Sequence, residues 1–170
     1  MKSALVSTVL ALLVALPAHA ATYSYSFLNE DGAIVGTVAG TIVLPDGDGT
    51  FGATSVFVTT APAGLGYDPT GFNFATDTFN NTFTVAAGAV VASDFFGRFN
   101  PGTALSIGST FGGGSTFLDA FNAVDFGASG LLDSDSSSLT YAAVPLPAGM
   151  PLLFAGLGAI GLVARKRHAA

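Results

Sequence analysis

Between Ala21 and Ala143 apolar residues come in short runs or in alternation, separated by glycine-bearing turns. No stretch there carries the sustained ~3.6-residue period of an amphipathic helix. A chain so punctuated is confined to strands. Tyr23, Tyr25 and Phe27 alternate with Thr22, Ser24 and Ser26, the pattern of a half-buried strand. Asn29-Glu30-Asp31-Gly32 supplies a turn with its glycine in place. From Ala33 to Leu44, Ile34, Val38, Ile42 and Leu44 share one face with Gly36 and Gly40, which predict a bulge or close backbone packing. Pro45-Asp46-Gly47-Asp48-Gly49 ends that strand. The β-branched segment Ala53 to Thr60 forms another, closed by Ala61-Pro62-Ala63-Gly64.

Asn81 to Val85, Ala86-Ala87-Gly88 and Ala89 to Phe96 read as a hairpin, with Phe83 and Val85 set against Val91 and Phe95. Asn100-Pro101-Gly102 is a further turn, and Thr103 to Ile107 and Leu131 to Tyr141 are further strands. Ser109 to Ser115, with three consecutive glycines, reads as a mobile loop, and Asp119 to Asp125 has room for one helical turn. Strands spaced in this way predict an all-β, single domain over 21–143, an antiparallel β-sandwich or jelly-roll. Fourteen of the fifteen phenylalanines lie in that span and are expected to fill its core. Each contributes about 1.5–3 kcal/mol when fully buried.

The same span holds all 11 acidic residues but only one of the five basic ones, Arg98, a net charge of −10. Such a surface excludes nucleic-acid binding by phosphate neutralisation. The span has no Cys, His, Lys or Trp. A Ser-His-Asp triad, a Cys-His pair, an ordinary zinc site and a lysine Schiff base are therefore excluded within it. Paired carboxylates remain available, but acids in turns and on solvated faces account for them, and the expectation is no enzyme. Asp46 and Asp48, and likewise Asp133 and Asp135, place two hard oxygen donors close together, as calcium prefers. Neither pair completes an EF-hand loop; the alternative is an Asp-Gly turn and an exposed polar strand. For carbohydrate, Tyr67 in the Gly64-to-Pro69 loop is the exposed aromatic candidate. Arg98 is expected to pair with a nearby aspartate. Asn80-Asn81-Thr82 matches a glycan acceptor pattern.

The two ends differ from this body. Lys2 and the apolar run from Ala4 to Leu16, followed by Ala18-His19-Ala20, fit a signal peptide spanning 1–20. Cleavage after Ala20 would leave Ala21 as the mature start, which implies the Sec export machinery and signal peptidase. At the other end, 144–170 has three parts: Val144-Pro145-Leu146-Pro147, an uncharged stretch from Ala148 to Ala164, and Arg165-Lys166-Arg167. The prolines hold the first part extended. The 17 uncharged residues would reach about 26 Å as a helix, the short end of a membrane span. The three cations would stay cytoplasmic, leaving the body outside.

Motif, apolar span and basic end together resemble the PEP-CTERM class of bacterial sorting signals. The match is to the variant named for VPLPA, present here as Val144, Pro145, Leu146, Pro147 and Ala148. The resemblance covers the C-terminal sixth of the chain. It implies transient residence in the inner membrane, processing by an exosortase, and release to the cell surface or matrix. Similar proteins are associated with exopolysaccharide and biofilm matrix, which implies a structural or adhesive role. An unprocessed membrane anchor is the alternative for the tail. A calcium- or carbohydrate-binding surface module is the alternative for the body.

Overall fold

The computed structural model describes residues 20–28, 34–65, 67–99, 103–111, 113–120 and 131–145. Within them ten strands form two sheets, and every strand pair is antiparallel. The first sheet runs β10 (Thr140–Ala143), β1 (Ala20–Leu28), β2 (Thr37–Pro45), β4 (Ser55–Thr60). The second runs β3 (Gly49–Phe51), β5 (Thr78–Ala86), β6 (Ala89–Phe99), β7 (Thr103–Ile107), β8 (Thr116–Ala120), β9 (Leu131–Asp133). The helical element among the described residues is a single 3-10 turn at Phe74–Thr76. No helix among them is long and apolar enough to cross a membrane. Two antiparallel sheets with almost no helix agree with the all-β expectation.

Alternation decides which face of β1, β2 and β4 is buried, whereas β7 is buried on both faces. Tyr23, Tyr25 and Phe27 on β1 join Val38, Ile42 and Leu44 on β2 and Val56 and Val58 on β4. The second sheet adds Phe83, Val85, Val90, Phe95, Leu105, Ile107 and Leu118 to the same core cluster. Burial pushes the hydroxyl pKa values of Tyr25 and Tyr141 upward, so both stay neutral. Tyr25 Oη donates to the Phe57 carbonyl at 3.2 Å. Gly40 meets both of its expectations: the register of β2 against β4 shifts between Ala39 and Gly40, and the Tyr25 ring occupies the space a Cβ would need.

Asn81 bridges the chain where it crosses between sheets. Its Oδ1 accepts from Ala53 N at 2.7 Å and its Nδ2 donates to Ala53 O at 3.0 Å. The glycan-acceptor reading of Asn80-Asn81-Thr82 therefore meets two asparagines with internal partners.

Two expectations need correction. In the hairpin, the register shifts at Thr84/Val85, so Val90 faces Val85 and is buried, while Val91 is exposed. The extra residue of a bulge reverses the face of its neighbour. The segment from Leu131 to Tyr141 is two strands in different sheets. Buried Asp133 breaks it by accepting from Ser137 N (3.0 Å), Ser138 N (2.9 Å) and Ser138 Oγ (2.7 Å). Two strands were not anticipated: Thr116–Ala120, whose last two residues open the 119–125 stretch with room for a helical turn, and short β3. Several expectations lie outside the described residues: 1–19, the turns at 29–32 and 100–102, 121–125 and 146–170.

Candidate functional site

The outer face of the second sheet carries the aromatic residues that do not enter the main core. Phe95 and Phe96 are adjacent on β6, so one ring points inward and the other outward. Phe96 is buried on the outer side with Ala104 and Phe117. The β5–β6 register shifts between Thr78 and Asn80, which leaves Phe79 unpaired at a bulge. Its ring turns to the outer face and meets Phe96 edge-on at 5.6 Å. Phe111, from the connection between β7 and β8, also meets Phe96 edge-on, at 4.9 Å. Phe79 and Phe111 stand on Phe96 stacked against each other, centroids 4.7 Å apart and planes 5° from parallel. They are 49% and 56% exposed.

The polar surround of this stack is ordered. Arg98 lies 4.4 Å from the Phe79 centroid, a cation–π contact. Its guanidinium pairs with Asp77 at 3.0 Å, as expected from sequence. On the other side Asp94 accepts from Asn80 Nδ2 (2.7 Å), Ser109 Oγ (2.8 Å), Thr110 N (3.1 Å) and Thr110 Oγ1 (2.9 Å). Burial pushes the Asp94 carboxyl up, but these donors outweigh it and hold the group below the usual carboxylate range. Buried Ser109 also accepts from Phe111 N at 3.2 Å. Gly114 N donates to Ser109 O at 2.8 Å. The described part of the loop expected to be mobile is thus tied to β6.

The other sequence-derived candidates fall elsewhere. Asp46 accepts from its neighbour Gly47 N at 2.9 Å. Asp48 accepts from Ala87 N and Gly88 N at 3.0 and 3.1 Å, so it braces the β5–β6 hairpin turn. Among the described residues no three His, Cys, Asp or Glu side chains gather as a metal site would require. Asp135 accepts from Ser137 N at 2.9 Å, and its hydrogen bonds from Ser137 lower its pKa. Tyr67 packs half-buried against the core instead of projecting as a platform. Its neighbour Asp68 is held low in pKa by the Thr70 side chain and backbone.

Of the residues expected to mark signal cleavage, Ala20 and Ala21 stand at the start of β1, paired with Pro45 and Leu44, and Ala18 lies outside the described residues. Of the residues expected to form a sorting motif, Val144 and Pro145 are described and both are exposed. Val144 N donates to Thr22 O at 2.8 Å, so the motif begins where edge strand β10 ends. Leu146, Pro147, Ala148, Arg165, Lys166 and Arg167 lie outside.

Sequence reasoning missed Phe79 and Phe111 because it assigned phenylalanine to the core. Comparison with protein-family models, curated proteins and solved structures finds no match.

Proposed function

We propose that this chain is an exported protein of the cell surface or extracellular matrix, a single β-sandwich domain with a passive role. In this reading a signal peptide over 1–20 is removed after Ala20 by signal peptidase following Sec export. The C-terminal signal over 144–170 then holds the chain in the inner membrane, body outward, until an exosortase cuts near Val144 to Ala148. The body, free of His, Cys and Lys and strongly acidic, serves a structural or adhesive matrix role alongside exopolysaccharide. It is not an enzyme and does not bind nucleic acid.

The observation that best supports this reading is the pairing of Val144 with Thr22. Both ends of the domain leave from one end of one sheet, β1 beginning beside the point where β10 finishes. A precursor with hydrophobic segments at both termini can then stand on a membrane without the domain obstructing either. The exposed Val144-Pro145 also presents extended chain to a protease at the sheet edge. Mass spectrometry of the C-terminal peptide, from strains with and without the exosortase, tests the proposal. A new C-terminus near Val144 to Ala148 is expected only with the enzyme. Chain ending at Ala170, recovered from membranes of both strains, would refute processing.

The second reading, a carbohydrate-binding surface module, is favoured by the exposed ring stack. For calcium, the described residues bring no third acidic side chain to join Asp46 and Asp48.

A further inference from the structure

We propose that the Phe79–Phe111 stack, rimmed by Arg98, Asp77 and Thr110, is a platform for an uncharged pyranose polysaccharide. The inference rests on the exported reading only for bringing such a polymer within reach.

Size is the first argument. Phe111 covers one face of Phe79 and Arg98 the other, so the ring face left for a ligand is that of Phe111. A phenylalanine presents about 200 Å² when free, and a 56% exposed Phe111 leaves roughly 110 Å² of it. That is about a seventh of the ~800 Å² each partner gives to a stable protein interface. It is comparable to the apolar C–H face of one sugar ring.

Charge is the second. The span from Ala21 to Ala143 carries −10, and its one cation is already matched by Asp77. Polyanionic glycans, anionic bilayers and a second copy of the chain are all repelled. An uncharged polymer is not.

Preorganisation is the third. Phe111 is fixed through Ser109, Thr110 and Asp94, and Phe79 through its bulge and the Arg98 contact. Binding therefore costs little ordering of the site. A pyranose combines a C–H face with hydroxyls around its rim. Phe111, backed by Phe79, supplies the aromatic face, while the Asp77 carboxylate (56% exposed), the Arg98 guanidinium and the Thr110 hydroxyl offer acceptors and donors at the edge of the stack.

The test uses the full chain in nanodiscs of zwitterionic lipid, passed over immobilised dextran, cellulose, xyloglucan and galactomannan, with alginate as the anionic comparison. Retention on at least one uncharged polymer is expected, weakened about tenfold or more by Phe111→Ser and restored by Phe111→Trp. An unchanged melting curve for Phe111→Ser, read by circular dichroism, separates lost binding from lost fold. Retention on none of the uncharged polymers, retention confined to alginate, or retention indifferent to Phe111→Ser would overturn the proposal. So would self-association or vesicle binding abolished by the same substitution in place of polymer retention. Processing at Val144 to Ala148 does not involve Phe111, so the C-terminal mass measured on the same variant tells failure of the platform from failure of the export reading.

Discussion

The ring of Tyr25 rests over Gly40, its register partner on β2, and fills the space where any other residue would carry a side chain. A Cβ on Gly40 would also overlap the Phe57 carbonyl oxygen, which accepts from Tyr25 Oη. Gly40→Ala is expected to destabilise the fold by about 3 kcal/mol through overpacking. Tyr25→Phe, which loses only the hydroxyl contact, should cost about 1 kcal/mol. Urea midpoints of the two variants check the order; equal costs would mean that β2 can shift to admit the methyl group.

Asp94 gives the fold a pH dependence of defined sign. Its folded pKa lies below the ordinary aspartate value of 3.8, so the ionised group stabilises the native state above that value. The contribution fades as pH falls from about 4 through the lowered folded pKa. Asp68 and Asp135 shift in the same direction, so the comparison must isolate Asp94. The melting-temperature gap between wild type and Asp94→Asn should be full near pH ~6 and narrow below about pH 4. A gap constant down to about pH 2.5 would contradict the hydrogen-bonded carboxylate.

The β5–β6 hairpin turns through Ala87 and Gly88, both at positive φ (51° and 74°). A two-residue turn of this hand suits the twist of the strands, but alanine at positive φ costs about 1–2 kcal/mol. Ala87→Gly should therefore raise stability by about 1 kcal/mol, read from the urea midpoint. The backbone amide that donates to Asp48 is retained.

Asp48 itself separates two roles. As brace of that turn, Asp48→Ala should lower stability by about 1–2 kcal/mol whether or not divalent metal is present. As a calcium ligand with Asp46, it would make the melting temperature rise in millimolar calcium over an EDTA control. The expected result is no calcium shift, because among the described residues no third acidic side chain joins Asp46 and Asp48 to build a calcium shell. A rise that Asp46→Ala abolishes would restore the metal reading.

Much of the architecture was legible locally. Alternation placed Tyr23, Tyr25 and Phe27 inward on β1, and Gly40 marked a close approach before its partner was known. That Arg98 would pair with an aspartate followed from charge scarcity, since one cation among so many acids finds a carboxylate nearby; which aspartate, Asp77, came from the fold. The misreadings share a cause. Each depended on a side-chain contact that alternation does not record or on a one-residue slip of register. Asp133 looked like part of an exposed strand, yet its buried carboxylate divides that strand between two sheets.

Composition and two-residue periodicity, taken alone, were enough for an all-β domain barred from His, Cys and Lys chemistry, because alternation and residue type are properties of the chain itself. The outward turn of Phe79, its stacking on Phe111 and the fixing of that loop by Asp94 belong to the tertiary structure. A bulge reverses the face of a side chain, and only the neighbouring strands determine where the bulge falls.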